Sequence, residues 1–239
     1  MQQVQSWTGA YVGVTAGYGW GESASAVTAI EPSIAVPYQQ LGMLPTALKP
    51  SARGFIGGGE VGYNWQSGRW VAGVEADFSY SGLRGDETYA VPPVPGNNPV
   101  AMTQGAQLDW FGTVRARAGV LMTPDTLVFA TGGLAYGRVK ALSNIVSTEP
   151  AFPCSTGIGL CSTGAASETR TGWTVGGGLE SRFAPNWTVK VEYLYFDLGN
   201  MSNTANSTSF FPFWNGKPIV GATSDITGNI VRVGLNYQL

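Results

Sequence analysis

The chain has 239 residues and a formal net charge of −2, and charged residues make up 12% of it, about half their usual share in soluble domains. Glycine occurs 34 times, aromatic residues make up 12%, and histidine is absent. The near-neutral charge gives no electrostatic basis for nucleic-acid binding, and the lack of any long apolar run excludes a transmembrane helix.

The first patterned segment, Trp7–Trp20, alternates between two faces. From position 10 its even-numbered residues are apolar and end in Tyr18 and Trp20, whereas its odd-numbered residues are small apart from Tyr11 and Thr15. Each of its glycines would cost a helix about 1 kcal/mol. A strand with one apolar face sorts the same residues without that cost, so the segment is predicted to be a strand.

The same two-residue period recurs along the chain. The predicted strands are Trp7–Trp20, Phe55–Gln66, Arg69–Ser81, Leu108–Leu121, Leu127–Val139, Thr171–Phe183, Trp187–Leu198 and Val231–Leu239. Each is near the roughly 9–11 residues that a tilted strand needs to cross a bilayer. Short turns alternate with long loops, and the predicted long loops are Gly21–Arg53, Gly82–Gln107, Lys140–Arg170 and Gly199–Thr227. This asymmetry is typical of outer-membrane barrels.

These strands predict one all-β domain over residues 1–239. We expect an eight-stranded antiparallel up-and-down transmembrane β-barrel with four long external loops and three short periplasmic turns, and both termini on the periplasmic side. Aromatic rings near the strand ends predict two interfacial girdles. The predicted girdle residues are Trp7, Tyr18, Trp20, Tyr63, Trp65, Trp70, Tyr80, Trp110, Tyr136, Trp187, Tyr195 and Tyr237. A soluble sandwich is the alternative, but it would usually carry more charge outside.

The other face of these strands carries charged residues that would point into the barrel. The predicted lumen ion-pair network is Glu60, Glu75, Asp77, Arg115, Arg117, Glu180, Arg182, Lys190, Glu192 and Arg232. Eight strands leave an interior just wide enough for side chains to fill, and buried charges must be paired. We therefore expect a crossed network that fills the lumen, so that the barrel conducts little.

The sequence gives little support for an enzyme. Without histidine there is no Ser–His nucleophile and no commonest zinc ligand. The stretch GGGEVG, Gly57–Gly62, matches a dinucleotide-binding spacing, but no helix is predicted to open at it. We interpret its glycines as barrel-wall positions. No catalytic residue, metal site or cofactor is predicted.

Two loop features could contribute to structure or contacts. Cys154 and Cys161 are the sole cysteines, and an oxidising periplasm favours a disulfide between them. In the fourth loop, SFFPFWNG forms a possible contact patch of Phe210, Phe211, Phe213 and Trp214, since exposed apolar patches often mark contacts. The alternative is that these rings pack over the barrel mouth or dip into the membrane interface.

Six stretches carry a family resemblance: WTGAYVGVTAGYGWG, WFGTVRARAG, LVFATGGLAYG, TGWTVGGGLE, WTVKVEYLYFDLG and VRVGLNYQL. Together they resemble the small eight-stranded outer-membrane barrels of alphaproteobacteria, the surface-antigen and so-called porin family proteins with a transmembrane domain of the OmpA type. The resemblance implies an integral protein of the Gram-negative outer membrane with a structural or surface-interaction role. The alternative it leaves open is a narrow porin-like channel, or a barrel that binds hemin or another small ligand.

The two ends of the chain add further expectations. Arg232–Leu239 is similar to the C-terminal signal of barrel proteins, although that signal usually ends in phenylalanine, and this implies the outer-membrane insertion machinery as a partner. Outer-membrane lipid, lipopolysaccharide and an unknown extracellular or envelope partner at the loops are also expected, and nucleic acid is not. Met1 is followed by QQVQSWTG, without a basic or apolar leader, as expected after signal-peptide removal.

Overall fold

The structure is a computed structural model that describes residues 6–33, 35–91, 99–157, 160–208 and 216–239. Its strands are β1 Gly9–Glu22, β2 Ser25–Ala29, β3 Ala47–Leu48, β4 Ser51–Ser67, β5 Trp70–Ala90, β6 Val100–Thr123, β7 Thr126–Ser147, β8 Ser162–Ala184, β9 Trp187–Ser207 and β10 Pro218–Gln238. The helix α1 spans Ala35–Gln40, and a 3₁₀ turn spans Cys154–Thr156. Within these ranges, no helix is long and apolar enough to span a membrane.

Eight of these strands close into a ring. The order is β1-β4-β5-β6-β7-β8-β9-β10, and β10 pairs back onto β1. The closing pair is antiparallel, with a register that runs from Tyr11 opposite Gln238 to Trp20 opposite Asn229. The predicted eight-stranded antiparallel barrel is therefore confirmed. A closed ring leaves no unpaired strand edge, as lipid requires.

The strands extend further than the sequence predicts. For example, β6 has 24 residues, Val100–Thr123, against the predicted Leu108–Leu121. Three of the four predicted long loops, over 82–107, 140–170 and 199–227, are thus largely strand hairpins, and their predicted boundaries are wrong. Beyond the apolar band both faces carry many Ser, Thr and Asn residues, as in β9 near Asn203, so the apolar alternation fades while the backbone ladder continues.

The first long connection holds secondary structure of its own. Its strand β2 pairs with β10, from Ser25 opposite Ser224 to Ala29 opposite Val220, and β3 pairs with β2. The helix α1 follows β2, and its Ala35 is fully buried. The sequence predicts only a loop here, because β2 and β3 are too short to give a periodic signal.

The two faces of the strands are as predicted. Apolar and aromatic side chains cover the outside, and Phe55 and Tyr80 are 80% and 76% exposed. Trp7 is an exception to the predicted girdles, since it is 2% exposed. It precedes β1, where the two-residue alternation does not apply, and its indole Nε1 donates to the carbonyl of Pro124 from inside the ring at 3.1 Å.

Candidate functional site

The inward side chains pack in successive layers along the barrel axis. We call the end with the three tight connections the short-turn end and the opposite one the long-loop end. The first layer, at the short-turn end, is apolar and consists of Trp7, Val71, Leu121, Leu127 and Phe129. A charged layer follows it toward the long-loop end, and two further apolar layers come after that.

The charged layer brings nine of the ten predicted residues together. We call it the lumen network: Glu60, Glu75, Asp77, Arg115, Arg117, Glu180, Lys190, Glu192 and Arg232. Each of these residues is at most 5% exposed. They come from six different strands, β4, β5, β6, β8, β9 and β10, so their ion pairs cross the interior of the ring.

Glu75 is the centre of the lumen network. Its carboxylate forms an ion pair with the Arg115 guanidinium and accepts a hydrogen bond from Lys190 Nζ at 2.9 Å. Lys190 Nζ also donates to Glu60 Oε2 at 2.7 Å. Lys190 projects from β9 and Glu60 from β4, so this one ammonium joins strands that are not neighbours in the ring.

A second group of contacts surrounds Glu192. Its Oε1 lies 2.7 Å from Arg115 Nη1, and its Oε2 accepts from Arg232 Nε at 2.8 Å. Arg232 Nη2 also donates to Asp77 Oδ2 at 3.1 Å. The Arg115 guanidinium on β6 and the Arg232 guanidinium on β10 therefore bind the same carboxylates. Charge-assisted hydrogen bonds of this kind are the strong ones.

Tyr11 is a further member of this layer, which the sequence did not predict. Its hydroxyl donates to Glu75 Oε2 at 2.6 Å and accepts from Arg117 Nη1 at 3.1 Å. Gly62 lies opposite Tyr11 in the register, and a Cβ on it would be 2.3 Å from the Tyr11 ring. The inward position of Tyr11, facing a glycine-rich wall, was the signal that could have identified it.

Arg182 lies apart from the lumen network, at the rim of the short-turn end. Its guanidinium lies over the Trp7 ring at 4.7 Å, donates to Gln238 Oε1 at 3.2 Å and lies 3.8 Å from Asp125. It is two residues nearer the turn than Glu180, which places its head group beyond the charged layer. The lumen network therefore holds five carboxylates and four cations, whereas the sequence analysis expected equal numbers.

An apolar layer covers the network toward the long-loop end. Its largest rings, Phe111 and Phe196, pack with their centroids 4.9 Å apart, and Leu194 and Ile230 are buried beside them. A cavity of about 30 Å³ remains above these rings, about enough for one water molecule. Beyond it, Ala35 of α1 packs in an outermost cluster with strand residues from β6, β7 and β10.

Cys154 and Cys161 are joined in a disulfide, with their Cα atoms 5.8 Å apart. The carbonyl of Cys161 accepts from the backbone N–H of Thr208 at 2.9 Å, which ties this segment to the end of β9. The proposed contact patch, Phe210, Phe211, Phe213 and Trp214, lies outside the described residues. Among the described residues, no cluster of Cys, Asp or Glu side chains is arranged to hold a metal ion.

We expect the paired substitution Cys154→Ser and Cys161→Ser to leave the barrel's heat resistance almost unchanged. The bridge closes a short segment at the far end of the strands, where local opening is separate from unfolding of the barrel. Heat resistance is measured by gel mobility, which distinguishes the folded protein from the heat-unfolded protein. Faster proteolysis confined to residues 148–162 is the expected local effect, and a large fall in the temperature of barrel unfolding would contradict the prediction.

Comparison with known proteins gives a consistent picture. A sequence model of the family described as outer membrane protein beta-barrel domain matches residues 1–238. The 31 kDa outer-membrane immunogenic protein of Brucella melitensis biotype 1 is 34% identical over 234 residues, covering 98% of this chain and 84% of that protein. The 22 kDa outer membrane protein of Rhizobium leguminosarum bv. viciae is 36% identical over 155 residues, covering 64% of this chain and 58% of that protein.

One solved structure shows the same fold at low sequence identity. The outer membrane protein OprG of Pseudomonas aeruginosa has a TM-score of 0.52 and 11% identity, covering 97% of each chain. The outer membrane protease OmpT of Escherichia coli is a more remote likeness, with a TM-score of 0.49 and 10% identity, again covering 97% of each chain. The closed ring, the apolar exterior and the match over almost the whole sequence together place this chain in the outer-membrane protein β-barrel domain family.

Proposed function

We propose that this protein is an integral outer-membrane barrel with a structural and surface-interaction role, closed to ions and without enzymatic activity. The observation that carries this proposal is the succession of buried side-chain layers inside the ring, with the charged lumen network between apolar clusters. A barrel of eight strands has little spare interior volume. Its activity would then lie in what its exposed ends and outer face contact.

The proposed orientation places the long-loop end outside the cell and the short turns and both termini in the periplasm. The short turns and the much longer opposite hairpins support it, since barrels of this kind have that asymmetry. The relatives named as immunogenic are consistent with a surface-exposed end. In this arrangement the long hairpins would meet extracellular or envelope partners, and Arg232–Leu239 would be presented to the insertion machinery.

Labelling of two single-cysteine variants on intact cells tests the orientation. Leu41, just after α1, is 67% exposed, and Ser67 is exposed at the end of β4, beside the short turn to β5. A large polyethylene-glycol maleimide should label Leu41→Cys on intact cells and Ser67→Cys only after the outer membrane is permeabilised. The native cysteines serve as an internal control because their disulfide does not react. Labelling of Ser67→Cys alone would reverse the proposed orientation.

Planar-bilayer recording tests whether the barrel is closed to ions. It also separates this proposal from the alternative of a narrow channel, because a plugged barrel gives no steady current at any voltage that the bilayer tolerates.

A further inference from the structure

A row of polar residues crosses the outer face just beyond the apolar band. The strand register places Trp20 opposite Arg53, Arg53 opposite Arg84, and Arg84 opposite Gln107. The side chains of Arg53 and Arg84 are exposed. Adjacent strands are about 4.8 Å apart, so two guanidiniums are held side by side on the outside of the barrel.

Among the residues that the structure describes, this arginine pair has no counterion. Neither Arg53 nor Arg84 forms an ion pair or a side-chain hydrogen bond with another described residue. By contrast Lys140, further along the same row, lies 2.8 Å from Asp109. Asp109 lies at a β-bulge between Leu108 and Trp110. Like charges directly opposite each other destabilise a sheet, so the pair calls for an external anion.

The pair lies at the level of the membrane interface. On β4, Phe55 is the next outward residue toward the short-turn end from Arg53, and on β5 Tyr80 precedes Arg84 on the same face. Both rings are largely exposed, and aromatic side chains in such bands lie among lipid headgroups. The guanidiniums are therefore held beside the headgroup layer.

An open groove of about 650 Å³ adjoins Arg53 on the outside of β1, β4 and β10. Its lining includes the rings of Tyr18 and Trp20, together with Arg53 and Asn229. One carboxylate also lines it, that of Glu22, and this charge favours an anion on the Arg84 side of Arg53. The groove thus offers an aromatic wall for a chain or sugar and a cationic end for a charged headgroup.

We propose that Arg53 and Arg84 bind the phosphate of a phosphorylated glycolipid of the outer leaflet, the lipid A part of lipopolysaccharide, with the adjoining groove holding its acyl or sugar portion. The planar guanidinium matches a phosphate through paired hydrogen bonds, and one phosphate between the two arginines relieves their repulsion. This inference rests on the proposed orientation, which puts the pair in the outer leaflet.

Native mass spectrometry of the full chain, folded in detergent, tests the site with purified phosphorylated lipid A. The folded protein is expected to retain this lipid, and to bind the same lipid A after chemical removal of its phosphates at least about tenfold more weakly. The double variant Arg53→Gln, Arg84→Gln should lose affinity by a similar factor. Lys217→Gln, which removes an exposed cation elsewhere on the long-loop end, should bind as the unchanged protein does.

Equal binding of the phosphorylated and dephosphorylated lipids would overturn the inference, and that comparison needs no variant. Binding of phosphatidylglycerol as tight as that of lipid A would also overturn it, because the site would then be general for lipid phosphate. The mobility of the unheated double variant on an SDS gel checks that it is folded. Since these measurements use purified protein, their failure is distinct from a failure of the proposed orientation, which is measured by labelling on cells.

Discussion

Lys190→Met is expected to lower the free energy of unfolding of the barrel by about 3–5 kcal/mol, the usual loss when one partner of a buried ion pair is removed. The ammonium of Lys190 is the nearest cation to Glu60, at 2.7 Å, and it also contacts Glu75 at 2.9 Å. Methionine nearly matches the length of lysine but carries no charge. The lumen network would then hold five carboxylates against three cations, with Glu60 left 3.9 Å from Arg232.

Glu60→Gln is expected to cost far less, about 1 kcal/mol or below, close to the value of a single hydrogen bond. Lys190 would keep its contact with Glu75, and Glu60 Oε1 has no hydrogen-bond donor among the described residues to lose. The substitution would also equalise the numbers of carboxylates and cations. The structure therefore predicts a large loss of stability when the cation of this ion pair is removed and a small loss when its carboxylate is neutralised. A simple count of salt bridges would treat the two substitutions alike.

Denaturant unfolding of the protein in lipid vesicles, followed by tryptophan fluorescence, measures both effects. Glu168→Gln is the matched control, since Glu168 forms an exposed pair with Arg170 and such pairs contribute about 0–1 kcal/mol. The double variant Lys190→Met, Glu60→Gln should be more stable than Lys190→Met alone, because it removes the unpaired carboxylate. Equal losses for Lys190→Met and Glu168→Gln would show that the network is not a connected buried unit.

The sequence predicted the faces of the strands well but not their lengths. Apolar alternation is strong only where one face meets lipid, so β4 was found from Phe55 onward while its polar start, Ser51–Gly54, was not. The short connections constrained the register at one end, and the strand boundaries there were close. At the other end, β2 and α1 are held by contacts with β10 and β6 that lie far away in sequence, which no local pattern records.

The residues of the charged layer followed from the alternation of each strand, in which every second side chain points inward. The ion pairs that these residues form with one another did not. The alternation places Lys190 and Glu60 on the inside, but only the closed ring and the relative stagger of the strands bring them within 2.7 Å. The alternation likewise could not distinguish Glu180 from Arg182, which share a face but differ in height along the barrel. A polar residue such as Tyr11 gave no charge signal, and its contacts with Glu75 and Arg117 depend on the glycine across from it.

We expect the purified, folded protein to give no steady current across a planar bilayer. The inward side chains form barriers in series, so an ion would have to pass the apolar layer at Trp7, the lumen network, and the layer at Phe111 and Phe196 in turn. An apolar constriction excludes water, and an ion that leaves water for such a site pays a large desolvation cost. The charges of the network are already paired with one another, so they offer a passing ion little compensation for its lost hydration.

The series arrangement makes a stronger prediction than closure alone. Phe111→Ala with Phe196→Ala widens one layer, and Trp7→Ala with Phe129→Ala widens another, yet each double variant should remain closed because the lumen network still spans the ring. Replacing residues 30–46 by a short flexible linker removes α1 and should also leave the barrel closed. A steady, ion-selective current from the unchanged protein would refute the closed barrel and support a transport role. Current from just one of the variants would instead assign the closure to that single layer, since barriers in series conduct only when the last of them is removed.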